Sequence, residues 1–166
     1  MSKTIIGIDN GVTGTVAILY GDNSDPAVFQ KMPVFSQQSY TKTKQNITRI
    51  NFEKLNEILS QFKTDNVFCV LERPMINPTR WKASMSAMRC LEATLICLEL
   101  NKIPYQYCDS KLWQKEMLPK GLIGTELKSA SQDIAIRLFP QFEDLLRKHG
   151  DGDSLLMAEY ARRKGL

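Results

Sequence analysis

Two short apolar runs, each ending on a carboxylate, constrain this chain more than any other feature. Ile5-Ile6-Gly7-Ile8 leads into Asp9, and Val67-Phe68-Cys69-Val70-Leu71 leads into Glu72. Both runs are too short for a helix and continuous rather than alternating, as strands covered on both faces are. Structural acids prefer solvated faces, so a charge closing a buried strand calls for a reason. If the two strands lie side by side and parallel, their ends are about 5 Å apart and Asp9 and Glu72 point at one spot.

The remaining chain supplies partners for these strands. After the Gly-rich connection Asn10-Gly11-Val12-Thr13-Gly14, a second apolar run reaches Tyr20, so the chain reverses and pairs antiparallel. A third strand is expected around Ala27 to Val34, after a turn over Gly21 to Pro26. Phe35 to Arg49, built from Ser, Gln, Thr, Lys and Asn, reads as an exposed basic loop. Asn51 is an N-cap, with Phe52, Leu55, Ile58, Leu59 and Phe62 following at helical spacing. Met85, Met88, Leu91, Leu95 and Leu98 predict a long helix over Trp81 to Leu100. Pro104 to Cys108 reads as a strand and Ser110 to Met117 as a short helix. Further helices run from Glu126 to Phe139, stopped by Pro140, and from Asp153 to Gly165. The order βββ, α, β, α, β, α, α, α predicts an α/β fold, a mixed five-stranded sheet flanked by helices. Its length of 166 residues suits a single domain spanning 1–166.

Composition narrows the class. No apolar run approaches the roughly 20 residues of a membrane span, and no export signal precedes the first strand, so a cytoplasmic protein is expected. Four cysteines, Cys69, Cys90, Cys97 and Cys108, sit in apolar stretches without close pairing, beside a single histidine in the whole chain. They read as buried reduced thiols rather than zinc ligands. A net charge of +4 permits a polyanionic partner without requiring one.

Asp153, opening the last helix, joins Asp9 and Glu72 if that helix packs over the same sheet edge. Clustered carboxylates repel by about 4 kcal/mol per pair at about 4 Å in an effective dielectric near 20, until protons or cations neutralise them. Oxygen-only ligands select magnesium or manganese, and two such ions about 3.5–4 Å apart hold the attacking and leaving oxygens of a phosphodiester. Hydrolysis of nucleic acid is the chemistry implied. Individually, Asp9 as a turn cap, Glu72 paired with Arg73 and Asp153 as an N-cap would be the plainer readings.

The strings Ile6-Gly7-Ile8-Asp9-Asn10-Gly11, Leu71-Glu72-Arg73-Pro74 and Gly152-Asp153-Ser154-Leu155-Leu156-Met157-Ala158-Glu159-Tyr160 resemble, in order and spacing, the RuvC-like Holliday junction resolvases, especially their phage-type members, with the ribonuclease H fold. The resemblance covers nearly the entire chain. It implies a homodimeric, magnesium-dependent endonuclease that nicks opposite strands of a four-way DNA junction symmetrically. If phage-encoded, such a protein would act in the host cytoplasm. Asp9, Glu72 and Asp153 correspond to the metal-binding acids, with two Mg2+ ions per site and Mn2+ able to substitute. Relatives carry an acid or a histidine three or four residues before the last aspartate, where this chain has Gly150 and His149, with Asp151 nearby. His149 could bind the second ion or polarise the water, and Asp151 could serve as the ligand if the loop bends, a solvated turn being the plainer reading of each. Asn10 stands where relatives often carry proline, and Lys128 matches a lysine near the active site of relatives.

DNA-binding candidates are Lys42, Lys44 and Arg49 in the polar loop, Arg73, Arg80 and Lys82 beyond Glu72, and Lys111, Lys115 and Lys120 later. Most such contacts would neutralise phosphates without reading sequence. The Pro-broken segment Pro74 to Trp81 is expected to project, Met75 or Ile76 wedging between unstacked bases; Trp81 either stacks on a base or joins the helix core. Met85 and Met88 serve a dimer surface or ordinary core. Two other functions fit parts of the pattern. Asp9 to Gly14 also resembles the first phosphate loop of actin-like phosphotransferases, although this length supplies barely one of their two lobes, and no nucleotide cofactor is expected. A catalytically silent branched-DNA-binding protein on the same fold is the other alternative.

Overall fold

A computed structural model of the chain describes residues 3–21, 27–62 and 66–166; positions 22–26 of the expected turn before the third strand lie outside them. In chain order the elements are β1 (Thr4–Ile8), β2 (Thr15–Leu19), β3 (Val28–Lys31), β4 (Val34–Gln38), β5 (Asn46–Ile50), α1 (Phe52–Ser60), β6 (Val67–Glu72), α2 (Trp81–Leu100), β7 (Tyr105–Cys108), α3 (Ser110–Met117), α4 (Gly124–Leu138), α5 (Glu143–His149) and α6 (Asp153–Lys164). Short 3₁₀ turns over Pro78–Arg80 and Pro140–Phe142 lead into α2 and α5.

The main sheet has five strands in the order β3-β2-β1-β6-β7. β1 pairs antiparallel with β2, and β2 with β3, while β6 runs parallel to both β1 and β7. Alternation along each strand divides the core. Ile6, Ile8, Val16, Ile18, Cys69 and Leu71 pack on one face with Leu55 and Leu59 of α1 and Leu91 and Leu98 of α2. Ile5, Ala17, Leu19 and Val70 pack on the other with Trp113 of α3 and Leu155, Leu156 and Ala158 of α6. The continuous apolar runs thus mark strands covered on both sides.

Gly7 explains how closely α6 approaches. A Cβ there would collide with the Ser154 carbonyl and press on Ala158, so only glycine lets the helix lie against β1. The hydroxyl of Thr15 donates to that of Ser154 at 2.8 Å, fixing the start of α6 against β2. Near its other end the buried carboxylate of Glu159 accepts from Arg162 at 2.7 and 3.0 Å and from Arg163 at 2.7 Å.

Several expectations need correction. Phe35 to Arg49 is largely a hairpin, not a loop: β4 and β5 pair antiparallel from Val34↔Ile50 to Gln38↔Asn46. Its residues are mostly polar and exposed; Ile50 is buried and joins the α2 side of the core, while Ile47 is half-buried. The third strand stops at Lys31, since the chain leaves the sheet at Met32-Pro33 to start this hairpin. The seven-residue helix α5 was not expected; it is anchored by buried Leu146 and ends on Gly150 in the left-handed region at φ 67°. Trp81 is 67% exposed, so it is not helix core, and Met85 and Met88 are exposed as well. All four cysteines are free and buried, and burial raises each thiol, those of Cys97 and Cys108 to about 11. Among the described residues no helix is long and apolar enough to cross a membrane.

Candidate active site

Register sets the geometry. Ile8 of β1 lies opposite Leu71 of β6 in parallel pairing, so Asp9 and Glu72, the next residues, leave the same edge of the sheet side by side. The amide of Asp9 donates to the Thr15 carbonyl at 3.1 Å, and Gly14 is required because a Cβ would strike the Asp9 carbonyl. The tight β1–β2 turn therefore holds Asp9 over the sheet edge. Its carboxyl is raised well above the usual range, chiefly by burial, then by a hydrogen bond with Glu72 and by the charges of Asp151 and Glu72. Both partners are therefore close to it.

From the other side comes the turn Gly150-Asp151-Gly152 between α5 and α6. Gly152 has no room for a Cβ beside Ala135 of α4, which pins the turn down. An oxygen of Asp151 accepts from the Asp153 amide at 2.9 Å, and Asp151 also hydrogen-bonds Asp9. The hydroxyl of Ser131 donates to Asp153 at 2.5 Å. Burial, followed by the charge of Asp151, pushes the Asp153 carboxyl up to about 6, against the Ser131 bond and the positive charge of Lys128, which hold it down. His149, at the end of α5, has its pKa lowered by burial and by Lys31 and Lys148, and its Nδ1 is buried without a partner.

At the carboxyl end of β1 and β6, Asp9 thus lies near Glu72 and Asp151, while Asp151, Glu72 and Lys128 act on Asp153. The carboxylates engage one another, Ser131 and backbone. Among the described residues no group of three or more carboxylate, imidazole or thiolate side chains stands as a preassembled metal cage. The donor chemistry nevertheless suits a hard divalent cation. Every acid offers oxygen only, and burial, reinforced by neighbouring carboxylates, raises the carboxyls of Asp9 and Asp153, a cost that a bound cation would offset.

The other sequence candidates lie around this cluster. Arg73 does not pair with Glu72; its Nε bonds Asp109 at 2.7 Å and its guanidinium lies 5.2 Å from the Tyr107 ring. Met75 is 80% exposed and, with Ile76 and Trp81, forms an apolar projection just beyond Glu72, with Arg80 and Lys82 exposed nearby in sequence. Asn10 donates to the Ala87 carbonyl of α2 at 3.2 Å, tying that helix to the β1–β2 turn. Lys111, Lys115 and Lys120 line an open cleft of about 460 Å³ under the α3–α4 connection, and Lys42, Lys44 and Arg49 lie on the β4–β5 hairpin. Sequence reading passed over Ser131, although it shares a face of α4 with Lys128 at i, i+3 spacing, and Lys31, whose isolation in a strand gave no signal.

No protein-family model matches the sequence, and no curated protein matches it. Solved structures do. Thermus thermophilus RuvC in complex with Holliday junction substrate superposes with a TM-score of 0.59 at 10% identity, covering 98% of this chain and 96% of that one. The chain has the RuvC fold. A second Thermus thermophilus RuvC structure gives 0.58 at 12% identity over the same shares. The mixed five-stranded sheet with helices on both faces is the RuvC, or ribonuclease H-like, arrangement. At this identity the likeness carries the fold.

Proposed function

We propose that this chain is a single-domain, phage-type RuvC-like endonuclease that resolves four-way (Holliday) and related branched DNA junctions by paired symmetric nicks from a homodimer in the cytoplasm. The observation that carries the reading is the placement of Asp9 and Glu72 side by side at the carboxyl edge of β1 and β6, with Asp151 acting on Asp9 and on Asp153 and the carboxyls of Asp9 and Asp153 both raised. Structural likeness to a RuvC bound to a Holliday junction supports the substrate class.

In this reading Asp9, Glu72 and Asp153 hold the cations, and Asp151 completes the set. Its hydrogen bond to Asp9 favours it over His149 as a ligand. Bound magnesium or manganese ions would supply Lewis-acid stabilisation of the charge that builds on a phosphodiester during hydrolysis. Ser131 orients Asp153 by its short hydrogen bond. Lys128, close enough to act on the Asp153 charge, offers an ammonium to a backbone phosphate. His149, with its lowered pKa, is neutral near pH 7 and able to accept a proton from water at its edge of the cluster. Met75, Ile76 and Trp81 meet unstacked bases at an opened junction centre. The lysines and arginines around them neutralise phosphates.

The experiment is cleavage of a synthetic four-way junction with Mg2+, against a linear duplex and a flap of the same sequence. Nicks related by two-fold symmetry in the junction, with the duplex left intact, are expected. A second reading, a branched-DNA-binding protein without catalysis, is suggested by the irregular fourth ligand position, where Gly150 and His149 stand before Asp151 and Asp153. Tight junction binding without nicks under Mg2+ or Mn2+ would select it.

A further inference from the structure

The β4–β5 hairpin carries a charge asymmetry that the acid cluster does not explain. Between Ala27 and Asn51 the chain has Lys31, Lys42, Lys44 and Arg49 and no acidic residue, which equals the whole net charge of +4; the remainder of the chain is neutral on balance. Three of these cations stand on the hairpin or its tip.

The hairpin springs from the edge of the sheet that bears the carboxylates. β3 is antiparallel to β2, which is antiparallel to β1, so the chain leaves β3 at the same end as Asp9 and Glu72. Lys31, its last residue, is near enough to His149 to lower that pKa. The base is anchored by the Asn51 amide, which donates to the Pro33 carbonyl at 2.8 Å, and by buried Ile50. The tip is ordered by its own polar bonds: the Ser39 amide to the Gln45 carbonyl at 2.7 Å, the Thr41 hydroxyl to the Thr43 carbonyl at 3.1 Å, and the Gln45 side-chain amide to the Thr41 hydroxyl at 3.1 Å. Yet Tyr40 is 88% exposed, and Lys42 and Lys44 are exposed with no ion pair among the described residues.

A polar two-stranded ribbon is marginal unless it packs or binds something, and this one buries Ile50 at its base but faces α2 across an open cleft of about 630 Å³ along the rest of its length. Its five-residue strands, at about 3.3 Å per residue, reach about 17 Å, or roughly five base-pair steps. Such a ribbon is the size that a DNA major groove admits. A second copy of the same hairpin would be repelled by like charge. We propose that the β4–β5 hairpin is a basic arm that grips duplex DNA away from the carboxylate cluster, with Lys42, Lys44 and Arg49 on phosphates and Tyr40 against the backbone or a base edge. The inference rests on the nuclease reading and adds to it a grip on a junction arm outside the centre.

The test is the salt dependence of binding. The triple variant Lys42→Ala/Lys44→Ala/Arg49→Ala and the unaltered protein are titrated, in EDTA, onto a labelled four-way junction with long duplex arms between about 50 and 200 mM salt. Each phosphate that is no longer neutralised by a side chain lowers the slope of log K against log salt by about 0.9, so the variant slope should be shallower by roughly two to three. Circular dichroism melting of the variant should coincide with that of the parent, because the three side chains are exposed. An unchanged slope refutes the arm while leaving the nuclease reading intact. A changed slope accompanied by a shift in sedimentation would assign the hairpin to a subunit interface and refute it equally. A parent protein that leaves the junction unbound overturns the function itself.

Discussion

Replacing Asp153 by Asn should stabilise the metal-free protein, and the size of the gain follows from its surroundings. The Asp153 carboxyl is pushed from 3.8 to about 6, first by burial and then by Asp151. A folded-state value above the unfolded one means that the native chain binds the extra proton. Stability is therefore unaffected by this group below about pH 3.8, is lost as pH rises from there to about 6, and stays lost above. At about 1.36 kcal/mol per pH unit the full loss is about 3 kcal/mol. Asp153 is the first residue of α6, where a negative charge gains up to about 1 kcal/mol from the helix N-terminus. The net expectation for Asp153→Asn, which keeps an oxygen for Ser131, is about 2 kcal/mol at pH 8. For a chain of this length that is a rise in Tm of roughly 4–8 °C. Urea titrations in EDTA at pH 8 and pH 4.5 supply the assay, and the gain should shrink by more than half at the lower pH. A variant no more stable than its parent at pH 8, or equally favoured at both pH values, would show that the Asp153 carboxyl is not buried beside Asp151.

Other perturbations read different parts of the structure. Gly7→Ala drives a Cβ into the Ser154 carbonyl and should cost about 1–3 kcal/mol in urea unfolding, as overpacked sites do; a neutral effect would mean that α6 does not lie against β1. Ser131→Ala removes a bond that favours the ionised Asp153, so the acid limb of the pH–rate profile for junction cleavage should move to higher pH, and an unmoved limb would separate Asp153 from that titration. With four buried thiols of raised pKa, the native protein should resist a thiol-specific reagent at pH 8 and react fully in guanidinium; rapid labelling of any cysteine in the native state would contradict the packing of β6, α2 or β7.

Much of the fold is legible because strong local signals coincide with the global arrangement. The apolar runs before Asp9 and Glu72 are long enough, and bare enough of polar residues, to announce central strands, and the Asn51 cap and the stripe of α1 announce its start. The hairpin escaped because its strands pair through backbone while exposing Ser, Gln, Thr and Asn, so side-chain pattern carries no trace of the ladder. Helix α5 escaped because seven residues around one buried leucine show no period. At the site, strand adjacency followed from pattern, and with it the meeting of Asp9 and Glu72. The roles of Asp151 and Ser131 depended on the packing of the α5–α6 turn against α4, fixed by Gly152 and Ala135, which no spacing in the sequence encodes.

The most direct test of the central claim uses Asp9→Asn and Glu72→Gln, each of which removes one carboxylate from the shared edge while keeping its shape. With Mg2+ and a synthetic four-way junction, both variants should bind the DNA as tightly as the parent and make no nicks. Nicking at the parental rate by either one would mean that these acids do not form the catalytic centre.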